Sequence, residues 1–274
     1  MTARPLTYQS ELRRQPIHLA RAALLLARDL AYPELDLPAQ LGYLDSLADE
    51  AHRGIAAGAP TLTRAAHLSD FLFHHLGFCG NRDDYYDPRN SFLNEVLQRR
   101  TGIPITLALV YLHLAERLDI PAWGVSLPGH FIVRIGQHQP VWLDPFNHGH
   151  LLDRDGCIQL VRQSTGLHIP FNDDWLLPVQ PRAILARMLN NLRTIYLQTS
   201  QWPLALRTLE HLRLTHPADA TIHRDFGIVY YELGRHHMAA LSLNDYLDLH
   251  PNAADAPAVR HYLNSLLNNI APYN

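Results

Sequence analysis

The run Gly102-Ile-Pro-Ile-Thr-Leu-Ala-Leu-Val-Tyr-Leu-His-Leu-Ala-Glu-Arg-Leu-Asp-Ile-Pro121 carries more structural information than any other segment of the chain. Pro104 suits the first turn of a helix. Leu107, Ala108, Leu109, Val110, Tyr111, Leu112, Leu114, Ala115 and Leu118 then place apolar side chains on nearly every side, which predicts a helix buried all round. Asp119-Ile120-Pro121 stops it. Two strand-like runs follow, Ala122 to Ser126 and His130 to Ile135, joined by Leu127-Pro128-Gly129. A third, Val141-Trp142-Leu143, ends in Asp144-Pro145. One buried helix therefore leads into strands that deliver first a histidine and then an aspartate.

Upstream, three amphipathic helices are expected. The first covers about 16–31, with Ile17, Ala20, Leu24, Ala27 and Ala31 in one stripe and Pro33 beyond its end. The second covers about 38–56, with Leu41, Leu44, Leu47, Ala48 and Ala51 on a face. The third covers about 61–76, with Leu62, Ala65, Ala66, Ser69, Phe73 and Leu76 inward and Gly77 as C-cap. Residues 77–90 read as a polar loop. A helix from Ser91 to Arg100 should follow, capped by Asn90 or Ser91, with Glu95 in its first turn. Downstream of the strands, 148–156 reads as turns. Cys157, Ile158, Leu160 and Val161 resume an apolar pattern, and 163–180 reads as the approach to a linker.

The last third repeats itself. Pro217 and Pro251 lie 34 residues apart, each preceded by His, and Tyr196/Tyr230, Trp202/His236, Ala205/Ala239 and Leu209/Leu243 keep the same spacing. That period is the signature of tetratricopeptide repeats, each a pair of antiparallel helices. Helices are placed near 182–199, 202–215, 219–233, 236–249 and 255–270. The expected division is a core domain with N-terminal helices at 1–180 and helical repeats at 181–274. Two repeats are fewer than the roughly three usually needed to stand alone, so they are expected to dock on the core.

Composition excludes several classes of function. All 23 basic residues are arginine, so Schiff-base lysines and a P-loop lysine are ruled out. A formal net charge of −3 and the lack of a basic, aromatic-interleaved patch argue against nucleic acid. No stretch nears 18 uninterrupted apolar residues, so no membrane span is expected. Two cysteines, Cys79 and Cys157, make no disulfide framework and fit a reducing cytosol, hence an expected cytoplasmic location. Eighteen histidines invite a metal reading, with His148 and His150 joining His130 and Asp144, but no Cys-x-x-Cys or His-Glu-x-x-His is present. No metal or cofactor is expected.

The order helix, His-bearing strand, Asp-bearing strand resembles the core of the transglutaminase-like superfamily, where a Cys opens the buried helix. The string from Asp83-Asp84-Tyr85-Tyr86-Asp87-Pro88-Arg89-Asn90 to Pro128-Gly129-His130-Phe131 is similar to that of the bacterial SirB family, which joins such a core to tetratricopeptide-type repeats. The resemblance implies an α+β, papain-like core with a helix packed on an antiparallel sheet, followed by an all-α end. It also matches His130 and Asp144 to the family's His and Asp. The position of the Cys falls near Pro104, and the nearest hydroxyl is Thr106.

A triad needs a thiol that His can deprotonate while Asp fixes the His tautomer. Thr106, near a helix start, suits a cap better than a nucleophile. The expectation is a degenerate triad of His130, Asp144 and Thr106, and a non-catalytic regulatory module that binds a protein or peptide through the core cleft and the repeat helices. Tyr85, Tyr86, Arg89, Asn90, Asn94 and Arg99 are candidate binding residues, because Tyr and Arg are enriched at interface hot spots and Asn90, Asn94 and Arg99 belong to the SirB-like string. The alternative is a hydrolase or acyl transferase using His130 and Asp144 with Thr106, Cys79 or an activated water.

Overall fold

A computed structural model describes residues 6–166 and 169–270. Contacts divide the chain into a first unit ending at Met188 and a second beginning at Leu189. This division falls inside a helix that starts at Pro181.

Four helices open the first unit: α1 (Tyr8–Leu12), α2 (Leu19–Leu30), α3 (Leu37–Arg53) and α4 (Thr61–Ser69). Polar side chains start three of them. Thr7 accepts from the Ser10 amide, His18 from that of Arg21 and Asp36 from that of Ala39. Leu62 is 51% exposed rather than inward, because the buried stripe of α4 begins only at Ala65. The segment Asp70–His75 then winds as a π-helix, which buries Phe71, Leu72 and Phe73 together. A pattern read at 3.6 residues per turn could not place that set.

The expected loop at 77–90 contains a short strand, β1 (Cys79–Gly80), parallel to β2 (Thr101–Gly102). Between them lie a 3-10 turn, Pro88–Ser91, and α5 (Leu93–Arg99). The cap of α5 is Phe92, not Asn90 or Ser91, and it makes no side-chain cap bond. Asn90 is turned into the preceding loop instead.

The helix α6 (Pro104–Arg117) is buried at all positions but Leu112, Glu116 and Arg117. Leu107, Leu109, Val110, Tyr111 and Leu114 are each at most 1% exposed, and each contributes roughly 1.5–3 kcal/mol by leaving water. α6 packs on an antiparallel sheet ordered β3 (Ala122–Leu127), β4 (His130–Ile135), β5 (Val141–Asp144), β6 (His150–Leu152). The last strand lies where only turns were expected. Its three residues pair Trp142, Leu143 and Asp144, and such a short strand leaves little alternation to read.

Val125, Leu127 and Ile132 pack against Cys157, Leu160 and Val161 of α7 (Arg154–Thr165). The expected linker approach is part of this core as well. Pro178 bridges Val125, and the Val179 amide donates to the Gly124 carbonyl at 2.9 Å, which covers the free edge of β3.

α8 (Pro181–Gln198) runs from the first unit into the second, which continues with α9 (Trp202–Thr215), α10 (Thr221–Glu232), α11 (His236–Leu249) and α12 (Ala256–Ile270). These spans follow the 34-residue pattern closely. Ala239 and Leu243 of α11 belong to the second unit's core. Gly227 of α10 lets the crossing close, since a Cβ there would lie 2.5 Å from the Leu243 side chain. Gly227→Ala is therefore expected to destabilise the full chain by about 1–3 kcal/mol through overpacking, read by urea melts, despite alanine's better helix propensity. An unchanged midpoint would refute that crossing.

Candidate functional site

β3 and β4 are joined by Pro128-Gly129, with Leu127 paired to His130. Gly129 has φ +71°, and a Cβ there would approach the Ser164 side chain to 2.9 Å, so the tight turn requires glycine. The turn presents His130 at the first position of its strand. Asp144 ends β5, where Pro145 starts a 3-10 turn, Pro145–Asn147.

His130 Nε2 lies 2.8 Å from Asp144 Oδ1, and both residues are buried. The carboxylate also accepts from the Phe146 amide at 3.0 Å, from the Asn147 amide at 3.4 Å and from the Asn147 side chain. Burial raises the Asp144 pKa, yet the hydrogen bond and charge of His130 and the Asn147 donors outweigh it and hold the group below its ordinary value. An ionised carboxylate only accepts, so Nε2 carries a ring hydrogen and Nδ1 is the nitrogen turned away from the pair. Among the described residues no side chain bonds that Nδ1.

The start of α6 supplies no thiol. Thr106 is fully buried, and its one hydroxyl hydrogen has the Asn90 carbonyl at 2.8 Å and the Ile103 carbonyl at 3.1 Å as acceptors, while the oxygen accepts from the Ile103 amide at 3.2 Å. A hydroxyl so engaged ties the helix start to the 3-10 turn before α5. Cys79 is half-buried with Sγ 3.9 Å from Thr101 Oγ1, and no histidine is bonded to it among the described residues. Cys157 is fully buried. Burial, with Asp153 and Asp144 adding to it, pushes its thiol up to about 12, the opposite of a nucleophile.

Five of the six candidate binding residues separate into two groups. Tyr85 makes an edge contact with Phe146 at 5.9 Å, and Phe146 in turn meets the His130 ring at 6.0 Å. Tyr86 is 67% exposed and packs edge-on against Tyr85. Arg89, Asn90 and Arg99 instead organise the loop. Arg89 clasps Asp87 with Nε at 2.8 Å, and Arg99 approaches the same carboxylate at 3.7 Å. Asn90 is fully buried, donating to the carbonyls of Asp84 and Tyr85 and accepting from Asn81 and Arg99. Asn94 is on α5 with a buried side-chain oxygen that has no partner among the described residues.

Four residues at the site were not singled out from the sequence. Phe146 and Asn147 follow the aspartate directly, and that adjacency was the available signal. Arg82 lies over the Phe146 ring at 5.4 Å and bonds Asn147. Arg187 comes from α8, and no local pattern pointed to it. Among the described residues no group of three His, Cys, Asp or Glu side chains is arranged to hold a metal ion, and no helix is long and apolar enough to cross a membrane.

Comparison with known proteins adds to this geometry. The family described as the transglutaminase-like superfamily matches residues 39–190, and a tetratricopeptide repeat family matches 192–264. A UPF0162 protein of Xylella fastidiosa is 37% identical over 260 residues, which is 93% of this chain and 92% of that one. Protein SirB1 of Salmonella typhimurium is 27% identical across 89% of this chain and 91% of its own length. The human F-box only protein 21 is 32% identical over 47% of this chain, a span that makes up 24% of that protein.

Proposed function

The chain belongs to the transglutaminase-like superfamily, in a SirB-like group that adds tetratricopeptide repeats, and on that footing we propose that it is a protein-interaction module whose core binds a peptide without altering it chemically. The observation that carries the reading is the engagement of Thr106. The residue nearest the missing thiol spends its hydroxyl on backbone carbonyls. The buried His130–Asp144 pair then holds the ends of β4 and β5, and Phe146, Tyr85 and Tyr86 supply an aromatic surface beside it. Repeat helices of this class commonly present protein-binding surfaces, which supports the same reading. Two free thiols, Cys79 and Cys157, fit a cytoplasmic location.

The test is turnover. The purified full chain is incubated with glutamine-containing peptides and a primary amine, and with amide and ester substrates. No release of ammonia, amine incorporation or hydrolysis above the blank is expected. Thr106→Ala should give the same result while costing about 1–2 kcal/mol in urea melts, the scale of a lost buried hydrogen bond with its partner left unpaired. A second reading, a hydrolase or acyl transferase, is favoured by one feature, the His130 Nδ1 that no described side chain bonds. Turnover abolished by Cys79→Ser, or by Thr106→Ala with folding intact, would establish it in place of the first.

A further inference from the structure

Arg187 of α8 has an electrostatic position that the fold alone does not explain. Its Nη1 donates to Ser126 Oγ and to the Leu127 carbonyl at 2.9 Å, and its guanidinium lies 5.7 Å from the centroid of the Phe131 ring. Those contacts steady the turn that presents His130. They use one of its three nitrogens. Among the described residues Nε and Nη2 take no hydrogen-bond partner and no carboxylate pairs with the group. Two other part-buried arginines are neutralised, Arg21 by Glu11 at 2.7 Å and Arg193 by Asp225 at 2.5 Å, while Arg64 and Arg134 bond backbone carbonyls. Burial pulls the Arg187 pKa below its ordinary range, and the opposing influence comes from Tyr85 alone. A part-buried cation without a counter-charge is costly, and a neutral hydrogen-bond donor would hold the turn with less penalty.

Tyr85 links this cation to the site, since it touches Phe146, which meets His130. We propose that Arg187, with Tyr85 beside it, is the receptor for a carboxylate on the peptide bound at the His130 surface. This rests on the peptide-binding reading above and names the chemistry of its ligand. The edge formed by Nε and Nη2 matches the two oxygens of a carboxylate in a bidentate pair. A dianionic phosphate would call for a second free cation. The nearby Arg82 is already bonded to Asn147 and laid over Phe146.

The experiment uses the immobilised full chain and a tetrapeptide library in four arms: free or amidated C-terminus, each with Glu or Gln at the varied position. Retained peptides are identified by mass spectrometry and their affinities measured by fluorescence polarisation. Carboxylate-bearing peptides should be held at least tenfold more tightly than their neutral counterparts. The arms show whether the carboxylate is terminal or on a side chain. Arg187→Met should erase the preference and leave the affinity of neutral peptides within twofold. Arg187→Lys keeps the charge but loses the fork, so it should reduce the preference without abolishing it, and it serves if the Met variant fails to fold. Equal retention of acids and neutral peptides, or an undiminished preference in a folded Arg187 variant, overturns the carboxylate receptor and leaves peptide binding standing. Retention of nothing in any arm overturns both.

Discussion

Asp144→Ala is expected to destabilise the protein by about 3–5 kcal/mol, the scale on which a buried pair fails when one partner is removed. The carboxylate is 1% exposed and is the common acceptor for His130 Nε2, the amides of Phe146 and Asn147 and the Asn147 side chain. Alanine leaves several of these donors buried without a partner. It also frees the 3-10 turn that places Phe146 against Tyr85 and His130. Urea unfolding of the full chain at neutral pH measures the loss, and a change within 1 kcal/mol would show that the pair does not hold the strand ends.

The same group predicts a pH dependence. The folded pKa of Asp144 lies below its ordinary value of 3.8. The unfolded state therefore binds the proton more readily, and stability rises with pH through this window. The contribution is fully present above the unfolded pKa and is lost as pH falls through the folded one. Asp144→Asn should accordingly show a flatter acid limb than the wild type, with the difference concentrated below about pH 4. Parallel acid limbs would mean that another carboxylate governs acid unfolding.

Asn90→Ala carries the second large effect, a loss of about 3 kcal/mol, because each buried group left unpaired costs about 1–3 kcal/mol. Its side-chain amide donates to the Asp84 carbonyl at 2.8 Å and the Tyr85 carbonyl at 3.2 Å. Its oxygen accepts from Asn81 at 3.1 Å and Arg99 at 3.3 Å. The loop carrying Tyr85 is folded around this one side chain. Asn90→Asp is an informative companion. It keeps the acceptor and gains charge next to Arg99, but it turns a carboxylate oxygen towards two carbonyls. It should be at least as damaging as alanine. Limited proteolysis within 82–88 should quicken in both variants. Unchanged cleavage with altered peptide binding would return Asn90 to the role of a direct contact.

Much of the architecture was legible because it is written in local periodicity. The apolar residues of α6 surround the helix, so burial on all sides followed from the sequence. The 34-residue spacing placed α9 and α11 at the residues where they occur. The order of helix, His strand and Asp strand located His130 and Asp144, which the fold brings to 2.8 Å. What escaped was written elsewhere. The π-helix at Asp70–His75 departs from the period on which the reading depended, and β6 is too short to carry one.

The candidate binding residues mark the boundary between the two kinds of information. Residue type for Tyr85 and the SirB-like string for Asn90 put the two in one category. Packing separates them, placing Tyr85 against Phe146 and sinking Asn90 among carbonyls. The covalent order of residues dictates which way each short segment coils, since backbone sterics and hydrophobic spacing act within a few positions. Only the folded chain decides what a polar group bonds to. The Thr106 hydroxyl meets a carbonyl 16 residues away, and Arg187 meets Leu127 across 60. Such partnerships depend on how distant segments are brought together and kept from water, which no local pattern encodes.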